Sequence, residues 1–186
     1  MLDGKRVLVV VPARGGSKGI PLKNLAKVCG ETLIAHVGQF LRRLRFVDEA
    51  IVSTEHREIP AEAVKHGLSV PFIRPRNLSG DLIGDFDVLY HALTEMERLN
   101  DRAYHVILML HPRCPMRTVR DVEQTVGKVA YAGNDSAWTV ERVSRKYHPL
   151  KHLRVGQEWR LDYYSAEGRE IVARQQLEPT YIRNGA

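Results

Sequence analysis

The stretch VLVVVPARGGSKGIPLKN, residues 7–24, decides the reading of this chain. Its first part, Val7–Val11, is a continuous apolar and β-branched run. Such a run suits a strand buried on both faces of a sheet. Its second part, Pro12–Asn24, is a loop rich in Gly, Ser, Lys and Pro. Gly15, Gly16 and Gly19 permit left-handed backbone geometry and close approach of main-chain N–H groups to a ligand. Arg14, Lys18 and Lys23 place cations around that backbone, and Ser17 and Asn24 add hydrogen-bond donors. A triphosphate needs this combination, because many oxygens require donors and the charge that develops on phosphoryl attack requires cations. The spacing is neither GxxxxGK[ST] nor GxGxxG, which disfavours ATPase-type chemistry and a dinucleotide site.

Outward from this stretch, apolar runs and helical periodicities alternate. Leu33, Ile34, Val37, Phe40, Leu41 and Leu44 recur at helical spacing, with Arg42, Arg43 and Arg45 off that face. Ala50–Thr54 is a second expected strand, and Ile59–His66 a helix that Gly67 terminates. Val70–Ile73 is a third strand. Phe86, Leu89, Leu93, Met96 and Leu99 mark an amphipathic helix. Val106–Leu110 reads as a fourth strand, Thr118–Ala130 as a helix and Ala137–Glu141 as a fifth strand.

This order predicts an α/β fold: a mainly parallel, Rossmann-like three-layer sheet with helices on both faces. Ligands of such sheets sit at the carboxyl ends of the strands. Pro12–Asn24, Arg74–Asp85 and His111–Arg117 all follow strands, so three segments are expected to converge on one pocket. From Arg142 to Glu178 the alternation breaks and aromatics such as Trp159, Tyr163 and Tyr164 appear. Residues 142–178 therefore read as a small excursion suited to dimerisation, and 1–141 with 179–186 as a nucleotide-binding α/β domain. Tyr181–Ala186 looks like the start of a further strand.

Bulk properties narrow the classes. A chain of 186 residues with 44% hydrophobic content can bury one substantial core. No apolar run approaches the roughly 20 residues of a membrane span, and the opening lacks a signal-peptide pattern, so a cytoplasmic location away from membranes is expected. Cys29 and Cys114 lie far apart without CxxC spacing, which argues for reduced thiols rather than a disulfide framework or a zinc site. The formal net charge of +6 suits anionic partners. No nucleic-acid motif accompanies it, so small phosphorylated or carboxylated ligands are the expected partners, not nucleic acid.

The string ARGGSKGIPLKN resembles the signature of the CMP-sialic acid synthetases and their relatives for other nonulosonic acids, the N-acylneuraminate cytidylyltransferases. The likeness continues in order through Val52-Ser-Thr54, Arg74-Pro75 with Leu78 and Asp81, Pro112 with Pro115 and Arg117, His148-Pro-Leu-Lys151, Arg174-Gln-Gln-Leu177 and Asn184-Gly-Ala186. It implies attack by the anomeric hydroxyl of an acidic sugar on the α-phosphate of CTP, releasing pyrophosphate, with Mg²⁺ as cofactor and a homodimer as the working unit. By matching position, Arg14 and Lys23 would hold the reacting triphosphate. Ala13, Gly15, Gly16, Ser17, Lys18, Asn24 and Arg74 would contact the nucleotide. His111, Lys151, Arg174 and Asn184 would serve the sugar, whose carboxylate suits cationic side chains.

The chain departs from that pattern in three places. The usual Gln-Pro-Thr-Ser-Pro-Leu-Arg loop is His111-Pro-Arg-Cys-Pro-Met-Arg117 here, so His111 replaces a glutamine and Arg113 a small hydroxyl residue. The small residues expected after Asp81 are replaced by Leu82, Ile83, Gly84 and Asp85. Asp85 adds a negative charge that should disfavour phosphate unless a cation intervenes. Finally, the family's Mg²⁺-binding Asp-x-Asp segment lies beyond the stretch matched here, and Asp135 and Asp162 are not at a matching place. The protein's metal ligands are therefore unassigned, and metal is expected to arrive mainly on the triphosphate. A catalytically impaired nucleotide-binding dimer is the alternative reading.

Overall fold

The structure is a computed structural model and describes residues 2–185. Ala186, the last residue of the expected terminal strand, lies outside the described residues. The chain divides into two compact units, Met1–Ala137 with Gly185–Ala186, and Trp138–Asn184.

The first unit is built on strand β1, Val7–Pro12. The chain then forms a short antiparallel pair, β2 Lys27–Val28 and β3 Glu31–Thr32, and helix α1, Leu33–Leu41. Thr32 caps α1 by accepting the Ala35 N–H at 3.1 Å, satisfying one of the orphan donors of the first turn. There follow β4 Glu49–Ser53, α2 Ile59–Lys65, α3 Asp85–Asn100, β5 Val106–Met109 and α4 Val119–Ala130. Gly67 beyond α2 has φ +80°, the left-handed stop expected there.

The three strands pair in parallel in the order β4-β1-β5. Val7, Val9 and Val11 pack with Ile34, Val37 and Phe40 of α1, Ile59 and Ala63 of α2, and Val122 and Val126 of α4. Leu8 and Val10 point the other way, towards Ala92 and Met96 of α3. The unbroken apolar run of β1 is thus explained by a helix layer on each face. The parallel α/β architecture with three layers is as expected.

Three elements differ from expectation. Val70–Ile73 forms no strand; only Ser69 bridges to Ile51. Pro71 follows at once and lacks the N–H a ladder requires. In α3 the buried residues are Val88, Ala92 and Met96, while Phe86 and Leu99 face solvent. The inward stripe is set by Val88 rather than Phe86, which stacks on Tyr90 at the surface with ring centroids 6.1 Å apart. Lastly, Ala137–Glu141 adds no fifth parallel strand. The strand of that region is β6, Val140–Arg142, in the second unit.

In that second unit, β7 Leu153–Val155 and β8 Leu161–Tyr163 pair antiparallel. Strand β9, Tyr181–Arg183, pairs antiparallel with β6. Short 3₁₀ turns connect them. Leu177, His148 and Gly168 are its buried residues, and His148 holds the turn by contacts to the Glu178 carbonyl at 3.1 Å and the Leu150 N–H at 3.2 Å.

Candidate functional site

At the carboxyl ends of β1, β4 and β5 the first unit opens into a cavity of about 260 Å³. Its wall includes Arg14, Ser17, Lys23 and Asn24 from the glycine loop, and Arg74 and Ser79 from the segment between α2 and α3. The loop after β5 contributes His111 and Arg113. The three loops expected to converge do so. Two of these segments leave the parallel strands β1 and β5 at the same edge, and the third, between α2 and α3, is joined to the chain just past β4 by the Arg74 N–H, which donates to the Thr54 carbonyl at 2.8 Å.

The glycine loop is anchored from behind. Ala13 is buried and continues the sheet ladder, its N–H donating to the Ser53 carbonyl at 3.0 Å. Asn24 is buried and donates through Nδ2 to the Arg14 carbonyl at 2.9 Å, so it braces the loop as well as lining the cavity. Gly15 donates its N–H to Glu55 Oε1 at 2.8 Å. A Cβ at Gly15 would lie 2.4 Å from His56 Cδ2. Space is therefore what requires glycine here. The left-handed geometry anticipated at Gly15, Gly16 and Gly19 is not adopted, and the positive φ of this loop falls on Leu22 at +46°. Gly16 is exposed and clear of neighbours, so a main-chain approach by ligand remains open there.

Arg74 is only 3% exposed. Its Nη2 donates to Glu55 Oε2 at 3.0 Å and its Nε to Ser79 Oγ at 3.2 Å. Burial alone would raise the pKa of the Glu55 carboxyl. The Gly15 N–H and the Arg74 guanidinium outweigh that and hold it below the usual carboxylate range. Arg14 and Lys18 reach the same carboxylate, Asp81, with Arg14 Nη1 at 2.9 Å from Oδ1 and Lys18 Nζ at 2.6 Å from Oδ2. Lys18, then Arg14, depresses the Asp81 pKa.

His111 lines the cavity, with its Nε2 3.7 Å from Asp85 Oδ2. The negative charge that Asp85 brings into the region therefore faces an imidazole. Burial, followed by Arg113, pushes the His111 pKa below its ordinary value; Arg117 and Lys23 act in the same direction and Asp85 opposes them. Arg117 is itself buried, donates through Nη2 to the His111 carbonyl and lies over the Phe40 ring. It therefore pins the turn that presents His111. Lys151 and Arg174 sit in exposed 3₁₀ turns of the second unit, and Asn184 is an exposed residue of that unit.

Glu55 escaped sequence reading. Its signal was its position immediately after Ser53-Thr54, at the strand end where ligands of such sheets bind. Among the described residues, no group of three or more His, Cys, Asp or Glu side chains is arranged to hold a metal ion. Asp81 is engaged by two cations and Asp85 faces His111. These side chains do not form a Mg²⁺ cage. Among the same residues, no helix is long and apolar enough to cross a membrane.

CMP-N,N'-diacetyllegionaminic acid synthase of Legionella pneumophila is 32% identical over 121 residues, covering 65% of this chain and 52% of that protein. Pseudaminic acid cytidylyltransferase of Campylobacter jejuni is 33% identical over 109 residues, covering 59% and 47%. The chain thus spans about half the length of these curated relatives. A solved CMP:2-keto-3-deoxy-manno-octonic acid synthetase complexed with CTP shares the fold at a TM-score of 0.64 and 21% identity, covering 97% of this chain and 72% of that one. The profile described as Cytidylyltransferase matches residues 8–179, and the chain belongs to that family.

Proposed function

We propose that the chain carries the nucleotide site of a cytidylyltransferase that activates an acidic nonulosonic sugar with CTP, yielding the CMP-sugar and pyrophosphate. The observation that carries this reading is the cavity at the strand ends, where Arg14, Lys23, Asn24 and Arg74 meet. Arg14 and Lys23 would neutralise phosphoryl oxygens as the α-phosphate is attacked. Ser17, Lys18 and the Gly15–Gly16 backbone would complete the triphosphate cradle. Arg74, fixed by Glu55, would present a preorganised guanidinium to the nucleotide. His111 would face the incoming sugar, and the side chains of Lys151, Arg174 and Asn184, each exposed in the second unit, are chemically suited to a carboxylate and hydroxyls. Mg²⁺, where used, would enter on the triphosphate, since that ion is commonly held by phosphates and water with few carboxylates.

The relatives named for legionaminic and pseudaminic acids favour a nonulosonic acceptor. A homodimer is part of the same proposal. The second unit leaves Trp159, Leu161, Tyr164 and Val172 exposed, which suits burial against another subunit. A CTP-consuming reaction fits a cytoplasmic setting. Pyrophosphate release from CTP with a panel of nonulosonic acids and the eight-carbon keto-deoxy sugar acid tests the reading. Release with a nonulosonic acid supports it, and folded protein releasing none with any sugar overturns it.

The second reading is a nucleotide-binding dimer without turnover. The double engagement of Asp81 by loop cations favours it, because those cations are then satisfied without phosphate. Calorimetry showing CTP binding, together with no pyrophosphate release, would select this alternative.

A further inference from the structure

Two departures from the family's motifs meet in space. His111 stands where a glutamine is usual, and Asp85 where a small residue is usual. They come from different segments, the loop after β5 and the first residue of α3, yet His111 Nε2 lies 3.7 Å from Asp85 Oδ2. Both line the cavity that holds Arg14 and Lys23. Gripping phosphate needs neither of them. A carboxylate at this distance acts on the ring through its charge and stabilises the imidazolium once it forms.

We infer that His111, faced by the Asp85 carboxylate, accepts the proton of the attacking sugar hydroxyl during cytidylyl transfer. The inference rests on the function proposed above. In this step the hydroxyl oxygen forms a bond to the α-phosphorus. The bond from that phosphorus to the bridging oxygen breaks, and pyrophosphate leaves with the electron pair. The hydroxyl proton passes to the imidazole, and the imidazolium charge faces Asp85. The proton then returns to solvent.

The other acidic groups nearby are committed elsewhere. Asp81 is held by Arg14 and Lys18, and Glu55 by Arg74 and the Gly15 N–H. The charged groups acting on His111 are Asp85 of α3, Arg113 and Arg117 of its own loop, and Lys23 of the glycine loop. Burial, then Arg113, Arg117 and Lys23, disfavour the imidazolium and so favour the neutral ring, the state that can take a proton. Arg117 fixes the backbone beneath the ring by donating to the His111 carbonyl.

The test is the pH dependence of kcat for pyrophosphate release by the unaltered protein, H111Q, H111A and D85N. The unaltered protein should show an acid limb of unit slope. H111Q should lose that limb, with kcat reduced about 10²-fold and CTP affinity by calorimetry within about twofold. Added imidazole should partly restore H111A. D85N removes the charge that raises the His111 pKa, so its limb should move to lower pH. An acid limb retained in H111Q, with kcat near that of the unaltered protein, would overturn the inference. So would a limb that stays in place in D85N, a variant of a half-exposed residue that threatens folding little. Failure of the unaltered protein to turn over any acidic sugar would instead remove the transferase reading itself.

Discussion

The Glu55 carboxylate lies 3.0 Å from the Arg74 guanidinium and joins it to the glycine loop, because its other oxygen accepts the Gly15 N–H at 2.8 Å. Arg74 is nearly excluded from water. Removing Glu55 would leave that cation buried with Ser79 as its remaining side-chain partner. E55A should therefore cost about 2–4 kcal/mol in urea unfolding and weaken CTP binding about tenfold, as the loop loses its tether. E55Q should retain part of the Gly15 hydrogen bond and fall between. Unchanged stability in E55A would show that Arg74 finds water or another acceptor.

Asp81 presents its oxygens to Arg14 and Lys18, the cations expected to meet phosphate. The carboxylate thus competes with any anion entering the loop. D81N should bind CTP or free pyrophosphate more tightly, on the order of two- to fivefold at low salt, as suits exposed ion pairs. Raising the ionic strength should narrow the difference, because salt screens such pairs. Titration calorimetry at two salt concentrations reads both effects. Weaker binding by D81N would mean that Asp81 positions the cations for phosphate.

What was legible in the sequence follows from which physics is local. Val7–Val11 and the helices α1, α2 and α4 could be read because an apolar run or a 3.6-residue stripe specifies its own burial. In α3 the middle of the expected stripe, Leu89, Leu93 and Met96, packs against the cluster of Leu8 and Val10, while its ends, Phe86 and Leu99, face solvent. Helical spacing alone does not show that Ala92 joins that cluster and Phe86 does not. The residues from Val70 to Ile73 had strand composition but also Pro71, whose missing N–H outweighed it. Strand β6 acquired a partner forty residues away, at Tyr181–Arg183, which no local pattern announces. At the site, residue types were legible and pairings were not. Arg14, Lys23 and Asn24 could be named, but the bonds from Glu55 to Arg74 and from Asp81 to Lys18 exist only once strand ends are brought together.

Gly38 of α1 lies against His66 at the end of α2. A Cβ there would lie 2.4 Å from the His66 carbonyl oxygen, a backbone atom that cannot swing aside. G38A should destabilise the first unit by about 1–3 kcal/mol through overpacking. Gly127 of α4 provides the opposite case. Its nearest neighbour beyond the helix backbone is a Tyr131 side-chain atom at 3.8 Å, an ordinary contact. G127A should stabilise by about 0.5–1 kcal/mol, the helix propensity gained over glycine. Urea midpoints of the two variants should therefore move in opposite directions.

Asp162 makes the second unit's response to acid separable from the first. Its Oδ1 accepts from Arg169 Nη2 at 2.7 Å and from its neighbour's N–H, that of Tyr163, at 2.8 Å; its Oδ2 accepts from Arg154 Nη2 at 3.1 Å. Arg169, then Arg154, then the Tyr163 amide lower its pKa to about 2. In the unfolded chain the same carboxyl titrates near its ordinary value of about 3.9. Between these values the unfolded state takes up a proton that the folded state refuses. The contribution is therefore present above about pH 4 and is lost as pH falls through about 2. The chain contains 2 tryptophans, Trp138 and Trp159, and both lie in Trp138–Asn184, so tryptophan emission reports on that unit. Acid titration should show an emission change in this window that D162N lacks, and added salt should shrink it, because the pairs are exposed. Coincident acid profiles for D162N and the unaltered protein would show that Arg154 and Arg169 do not stabilise the β7–β8 pair through this carboxylate.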